Sequence, residues 1–249
     1  SIGAEFGRNI NASTGFEQTQ YMLNNIPVVR ETIIDSCLLI LHDYSSYVTC
    51  NPEEIDAERG VILEEKRQRS DASWRMFEKQ LPYLYGDTHC ARRTRIGGEE
   101  QLKTFKYESL TNFYKKWYLP HNQAVIVVGD VDVDKVEQKI KDIFGSIPAG
   151  EVAVKDEPAL PDNAEPIVGI ITDAEAQNSR IDILWKHAPI PVEYQNTDAA
   201  YLNDLLISII SNIMDERLND IAAAPDAPSL AAGFFTSDPC NAREAYNAA

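Results

Sequence analysis

The spacing of apolar side chains changes along the first fifty residues. Polar and apolar residues alternate over residues 8–14 and 17–23, and Gly15-Phe16 lies between these two segments. This alternation predicts two β-strands joined as a hairpin. From Pro27 to residue 48 the apolar residues instead recur every three or four positions, which predicts one face of a helix. The residues on that face are Ile33, Ile34, Cys37, Leu38 and Leu41.

A second helix is predicted to begin at Asn51. Asparagine is a favourable N-cap, Pro52 suits the first helical position, and two acidic residues follow in the first turn. We expect this helix to continue to about residue 70. Residues 72–83 and 109–117 also have helical spacing, and residues 86–98 are typical of a loop.

Residues 123–128 form a short, almost entirely apolar run, which predicts a buried central strand. An amphipathic helix is expected over residues 132–144, where acidic residues open the segment. Later in the chain, residues 167–172 and 180–186 are further strand candidates. A long helix with apolar residues on one face is expected over residues 192–222.

The distribution of proline and charge predicts a division of the chain. Residues 148–166 are rich in proline and acidic residues, as in a linker. The net charge is −4 over residues 1–147 (18 basic and 22 acidic) and −12 over residues 148–249 (5 basic and 17 acidic). We therefore expect an α+β domain over residues 1–147, a linker over 148–166, and the start of a second, similar domain over 167–249. Each would contain a mixed or antiparallel sheet with helices on one face.

Composition excludes several classes of function. The net charge of −16 argues against a nucleic-acid partner, which would require a basic surface. No apolar run approaches the roughly 20 residues of a transmembrane helix, so none is expected. The four cysteines are scattered and form no C-x-x-C pair, which argues against a zinc knuckle or a disulfide framework.

Glu58 and Glu65 are candidates for chemistry because they lie seven positions apart on one face of the predicted helix. Two acids on an apolar stripe are costly unless they are paired or bind a metal. The alternative is that both lie at the rim, with Glu65 paired to Arg69 and Glu58 facing solvent. Spacing alone favours this alternative. The four histidines are far apart in the sequence and form no local metal-binding motif.

Three separated segments together resemble one known family. They read N-A-S-T followed by T-Q-Y at residues 11–14 and 19–21, E-R-G-V-I-L-E-E at residues 58–65, and Y-x-x-W-Y-x-P-x-N at residues 114–122 followed by V-V-G-D-V. In this order they resemble the M16 metallopeptidases, the family of pitrilysin and insulin-degrading enzyme. The resemblance implies M16-like α+β domains.

The resemblance also implies a zinc site. M16 enzymes bind zinc through the two histidines of an inverted H-x-x-E-H motif and a distal glutamate, and the glutamate of the motif acts as the base. By resemblance, Glu65 takes the place of the distal zinc ligand. Glu58 takes the place of the acid that supports the ligands without touching the metal. Glu64 matches no ligand position.

This chain departs from the family pattern at the histidines. The family places its second histidine roughly 75 residues before the distal glutamate, whereas 64 residues precede Glu65 here. We therefore interpret the sequence as a fragment whose H-x-x-E-H segment would lie before Ser1. We expect Zn²⁺ in the full-length protein, and we expect the fragment itself to be inactive and without metal.

By resemblance, the chain also binds peptides by adding a substrate strand to a sheet edge. The matching edge is Asn11, Ala12, Ser13 and Thr14. The predicted function is part of a zinc metalloendopeptidase acting on peptides or small proteins, and the expected protein partner is a second M16-like half or subunit. The alternative is a non-catalytic M16-like subunit that is structural or holds substrate. We expect a bacterial periplasmic or cell-envelope location.

Overall fold

The computed structural model describes residues 7–153, 160, 162–237 and 244–248. The chain forms two compact units. The first comprises Ser1–Gln68 and Arg95–Asp156, and the second comprises Arg69–Thr94 and Glu157–Ala249. The sequence placed residues 69–94 in the first domain, whereas these units place them with the later part of the chain. The domain boundaries given above stay a prediction.

The first unit begins with the hairpin that the alternating pattern predicts. Strands β1 (Ile10–Thr14) and β2 (Thr19–Leu23) pair antiparallel, with Ala12 opposite Tyr21. The turn is closed by the Gly15 N–H, which donates to the Gln18 carbonyl at 2.8 Å. The hairpin prediction is confirmed, with strands slightly shorter than expected.

The described part of the first unit also contains five α-helices: α1 (Glu31–Ser46), α2 (Pro52–Gln68), α5 (Glu99–Thr104), α6 (Tyr107–Trp117) and α7 (Val133–Phe144). The Asn51 side chain accepts the Glu53 N–H at 3.0 Å, so the predicted N-cap of α2 is confirmed. Asp132 caps α7 in the same way. The hairpin contacts α1 through β2, α1 contacts α7, and α2 contacts α5. Buried apolar side chains on these elements include Ile33, Leu38, Ile55 and Val136.

The prediction of a buried central strand at residues 123–128 is wrong for this structure. The segment lies outside any strand, and the side chains of Ile126 and Val128 are 80% and 91% exposed. A central strand requires hydrogen-bonded neighbours and apolar layers on both faces. The described residues provide neither for this segment, so its apolar composition is not matched by burial.

The second unit contains α3 (Ala72–Tyr85), α4 (His89–Arg92), α8 (Asp198–Ala222) and a three-stranded antiparallel sheet. The sheet has the order β3-β5-β4, with β3 at Ile183–His187, β4 at Phe234–Ser237 and β5 at Glu244–Ala248. The long helix begins at Asp198 rather than at residue 192, because the Thr197 side chain caps it there.

Of the two strand candidates in this region, residues 180–186 overlap β3, whereas the prediction for residues 167–172 is wrong. The latter segment lies outside any strand, and side chains of α3 hold the segment that follows. Arg75 pairs with Asp173 at 2.7 Å, and the Lys79 ammonium group donates to the Thr172 carbonyl at 2.9 Å. Side-chain bonds to a loop therefore replace the strand pairing that the apolar pattern predicted.

Helices combined with small antiparallel sheets confirm the α+β class. Among the described residues, no helix is both long enough and apolar enough to cross a membrane. The second unit also contains a feature that the cysteine spacing did not predict. Cys90 in α4 is disulfide-bonded and fully buried, whereas Cys37 and Cys50 are free thiols.

Candidate functional site

The orientation of α2 is set by two basic side chains that reach α5. Arg59 donates to the Leu102 carbonyl and, at 2.6 Å, to the Phe105 carbonyl, so it binds the end of α5. Its guanidinium group also lies over the Phe105 ring, 3.7 Å from the centroid. In the last turn of α2, the Lys66 ammonium group donates at 2.9 Å to the carbonyl of Gly97, which lies just before α5. Because Arg59 and Lys66 lie seven positions apart, they fix one face of α2 against α5.

The candidate carboxylates Glu58 and Glu65 each precede one of these basic residues by one position. They therefore project about 100° around the helix from the face that contacts α5, and both lie on the same flank. Seven residues at 1.5 Å per residue place their Cα atoms about 10 Å apart. The Glu58 side chain is exposed, whereas Glu65 is half-buried. The sequence placed both acids on one face of the helix. It did not show that Arg59 and Lys66, on the neighbouring face, fix the direction in which the two acids project.

Glu64 lies on the side of α2 away from α5 and makes local contacts only. Its carboxylate accepts hydrogen bonds from Arg67 at 2.6 Å and from Gln68 at 3.0 Å. The hydrogen bond from Arg67 is the main reason that the pKa of Glu64 is lowered to about 2. An exposed carboxylate that is already paired with a neighbour on the same helix is a suitable control for the other two acids.

The described residues alone do not fit a zinc site. No three histidine, cysteine, aspartate or glutamate side chains among them come together in a way that could hold a metal ion. Zinc sites in enzymes use three protein ligands, and Glu65 would provide one. The histidines are dispersed over α1, α4, a short 3₁₀ turn and β3 (His42, His89, His121 and His187). Two of them stack on tyrosine rings: His42 on Tyr47 and His187 on Tyr246.

The second candidate feature is the outer edge of β1. The Asn24 N–H donates to the Asn9 carbonyl and the Gly15 N–H donates to the Gln18 carbonyl, so both of these pairs are hydrogen-bonded pairs of the hairpin. Because such pairs alternate along an antiparallel ladder, the backbone groups of Ile10, Ala12 and Thr14 point away from β2. Within the part of the chain that the structure describes, β1 has a hydrogen-bonded neighbour strand on one side only. Residues 11–14 are exposed.

A cluster of tyrosines holds the hairpin in place. The Tyr21 hydroxyl group lies 2.8 Å from the Tyr118 hydroxyl group, and the Tyr21 ring packs 5.2 Å from the Tyr44 ring. Burial, followed by the hydrogen bond to Tyr118, raises the pKa of Tyr21 above its ordinary value. Tyr114 in α6 joins the cluster by donating to the Tyr44 carbonyl at 2.7 Å. These contacts attach β2 to α1 and α6, and the position of β1 follows from its pairing with β2.

Sequence reasoning did not predict this tyrosine cluster. Tyr21 and Tyr118 both occur in the segments that carry the family resemblance, so a signal was present. Nothing in their spacing shows that two residues 97 positions apart form a hydrogen bond. The contact becomes evident only when the hairpin is placed on α1 and α6.

Comparison with known families gives one match that covers about half of the chain. The family model described as the Peptidase M16 inactive domain matches residues 104–229. This matched segment begins at the last residue of α5. It therefore excludes β1 and α2, which carry the candidate residues.

Individual relatives match over nearly the whole chain. "Probable zinc protease PqqL" of Escherichia coli (strain K12) is 29% identical over 239 residues, which are 95% of this chain and 25% of that protein. "Zinc protease PQQL-like" of Arabidopsis thaliana is 29% identical over 93% of this chain and 24% of that protein. The chain thus spans about a quarter of the length of these curated relatives.

Solved structures match the fold over a similar extent. The crystal structure of the periplasmic protease PqqL from Escherichia coli superposes with a TM-score of 0.85 and 26% identity, covering 97% of this chain and 26% of that chain. A structure described as the first half of the same protease gives a TM-score of 0.80 at 25% identity. This chain covers 52% of that half.

Proposed function

Because the chain belongs to the M16 peptidase family, we propose that it is part of a zinc-dependent metalloendopeptidase that hydrolyses peptides or small proteins. The observation that carries this proposal is the arrangement of α2. Its contacts with α5 hold Glu58 and Glu65 on one flank, and this is the helix in which the resemblance places the distal zinc ligand. A longer protein is implied because the relatives named as zinc proteases are about four times the length of this chain.

In this proposal Glu65 is the distal zinc ligand, and Glu58 supports the ligands without touching the metal. The two histidines and the base would come from an H-x-x-E-H motif outside the present sequence. When bound, zinc would lower the pKa of a coordinated water molecule and would polarise the scissile carbonyl group. The contribution of this chain is an anionic oxygen at a fixed position, and the links from Arg59 and Lys66 to α5 fix that position.

The substrate main chain would pair with β1 as an added strand. The outward backbone groups of Ile10, Ala12 and Thr14 recur every second residue, so an extended peptide can meet them in register. Recognition through the main chain depends little on the amino-acid sequence of the peptide, as expected for an enzyme that acts on varied peptides. The candidate residues at this edge are Asn11, Ala12, Ser13 and Thr14.

The proposal extends to the compartment and to a partner. Buried Cys90 is disulfide-bonded, and stable disulfides persist mainly in oxidising compartments. The relative from Escherichia coli is named a periplasmic protease, which supports a periplasmic or cell-envelope location for this chain. The structure described as a first half supports a second M16-like half as the partner within the same protein.

A non-catalytic role is the second candidate function. It is favoured by the description of the matching family model, which is that of an inactive domain. In this case the chain would belong to a subunit that is structural or holds substrate. Its hairpin edge would serve binding, and Glu65 would hold no metal.

The two candidates are separated by charge-removing variants in the full-length protein. Glu65→Gln keeps the shape of the side chain but removes the anionic ligand, so zinc content and peptide hydrolysis should both fall. Loss of a supporting residue typically costs about 10–100-fold, and loss of a ligand should exceed this. For Glu58→Gln, we expect zinc content and peptide hydrolysis to lie between those of Glu65→Gln and those of the unchanged protein.

Glu64→Gln is the matched control because its carboxylate is exposed and paired with Arg67. It should leave zinc content and hydrolysis unchanged. Zinc loss in Glu64→Gln with retention in Glu65→Gln would show that the ligand assignment is displaced by one residue. If none of the three variants changes zinc content, the zinc role of α2 is wrong and the non-catalytic function is favoured.

A further inference from the structure

The outer edge of β1 is not fully open in the free chain. The Ala12 N–H points away from β2, and it donates to the side-chain oxygen Oδ1 of Asn11 at 2.8 Å. Beside it, the outward carbonyl of Ile10 accepts the Gly7 N–H at 2.9 Å. Gly7 has φ +79°, a left-handed conformation that glycine adopts without strain and that turns the chain back towards the strand. Two neighbouring positions on the edge are therefore occupied by the chain itself.

An added strand would need the same positions. When an antiparallel strand pairs with Ala12, its carbonyl accepts the Ala12 N–H and its own N–H donates to the Ala12 carbonyl. The Asn11 side-chain oxygen presents an amide carbonyl to that N–H, which is the chemical group that a peptide backbone would present. The two acceptors cannot use the single Ala12 proton at full strength together.

We propose that Asn11 is a specificity-determining cap on this edge, which a peptide main chain must displace before it can pair with Ala12. This inference rests on the proposed role of β1 in strand addition. Displacement requires only rotation of an exposed side chain, so the cap weakens binding without preventing it. Peptides that form the full run of main-chain bonds replace the Asn11 bond, whereas short or irregular peptides do not. An uncapped edge would also pair more readily with other copies of the chain.

The expected change in peptide affinity can be calculated from the single exposed hydrogen bond between the Ala12 N–H and Asn11 Oδ1. Such bonds contribute about 0.5–1.5 kcal/mol net, which corresponds to about a two- to tenfold change in an equilibrium constant. Removing the side-chain oxygen should therefore lower the Kd of an extended peptide by about two- to tenfold. It should also speed the exchange of the Ala12 amide hydrogen by a similar factor.

The cap is tested first without peptide, by amide hydrogen exchange measured with NMR on the 249-residue chain. The Ala12 amide should exchange slowly in the unchanged chain and in Asn11→Asp, which retains a side-chain oxygen, and faster in Asn11→Ala. Gln20→Ala is the matched control because Gln20 is an exposed amide on the same face of the hairpin, but on β2. It should leave Ala12 exchange unchanged. The Ser13 amide, which points to β2, reports that the hairpin stays folded in every variant.

The second measurement uses one defined probe, an uncharged heptapeptide of alternating valine and threonine with a fluorophore. A copy methylated at alternate backbone nitrogens serves as the peptide control. Asn11→Ala should bind the probe about two- to tenfold more tightly than the unchanged chain, Asn11→Asp and Gln20→Ala should match the unchanged chain, and the methylated copy should not bind.

The outcomes separate the cap from the proposed function. Equal Ala12 exchange in the unchanged chain and in Asn11→Ala would refute the cap itself. A protected Ala12 amide with equal Kd values in the two chains would refute its control of binding. If the cap is present but neither chain binds the probe, strand addition on β1 is refuted, and the role of Asn11 in specificity falls with it.

Discussion

Replacing Arg59 by alanine would remove the contacts that tie α2 to the end of α5. The side chain is only 14% exposed, and its guanidinium group donates to the Leu102 and Phe105 carbonyls and stacks on the Phe105 ring. Its contact with Asp56, whose side chain is 54% exposed, should contribute little because surface ion pairs are screened by water. The two carbonyl bonds and the stacking contact therefore carry the expected loss.

Hydrogen bonds from a charged donor contribute about 1.5–3 kcal/mol each, and a cation–π contact adds about 0.5–2 kcal/mol. These contributions are not additive, and water can reach part of the freed end of α5. We therefore expect Arg59→Ala to lower the free energy of unfolding by about 3 kcal/mol. Arg59→Lys should cost about half as much, because lysine keeps the charge but cannot bind two carbonyls with a planar fork.

The assay is urea unfolding followed by tryptophan fluorescence. Trp117 lies in the first unit, whereas Trp74 and Trp185 lie in the second, so Trp74→Phe and Trp185→Phe leave a reporter for the first unit alone. Arg67→Ala is the matched control, since Arg67 is on the same helix but is exposed and paired only locally with Glu64. Because an exposed ion pair within one helix contributes little to stability, Arg67→Ala should lower the unfolding midpoint far less than Arg59→Ala does. If Arg59→Ala and Arg67→Ala unfold at the same urea concentration, the inferred link between α2 and α5 is refuted.

Two further predictions concern the candidate residues. The hydrogen bond from Arg67 keeps the pKa of Glu64 at about 2 rather than 4.5, so the pair contributes fully above about pH 4.5 and its contribution is lost as the pH falls towards 2. NMR titration of the Glu64 carboxyl group should show this midpoint, and Arg67→Ala should raise it towards 4.5; an unchanged midpoint would contradict the assigned cause. Tyr21→Phe removes the hydroxyl bond to Tyr118, should lower the free energy of unfolding by about 1 kcal/mol and should speed amide exchange in the hairpin. Tyr118→Phe should have the same effect and the double variant no more than either, whereas additive losses would show that the two hydroxyl groups act separately.

Elements that depend on local sequence could be predicted before the structure was known. The hairpin, the N-cap of α2 at Asn51 and the amphipathic helix α7 depend on residues within a few positions of each other. Helical periodicity likewise places Glu58 and Glu65 on one face without any knowledge of the neighbouring elements. The family could also be recognised from the order of three short segments, and the match over residues 104–229 confirms it.

The tertiary structure decided which surface each of these elements presents. Periodicity cannot show that Arg59 and Lys66 direct one face of α2 towards α5, because the bonds that do so join residues more than 30 positions apart. It also predicted a buried strand at residues 123–128, since an apolar run indicates burial but does not supply the neighbours that a strand must pair with. Which backbone groups of the β1 edge are free to pair was likewise decided by the tertiary structure. The sequence determined that residues 11–14 form a strand, whereas the direction of each backbone N–H and the bond between Ala12 and Asn11 follow from the pairing register and from side-chain geometry in the folded chain.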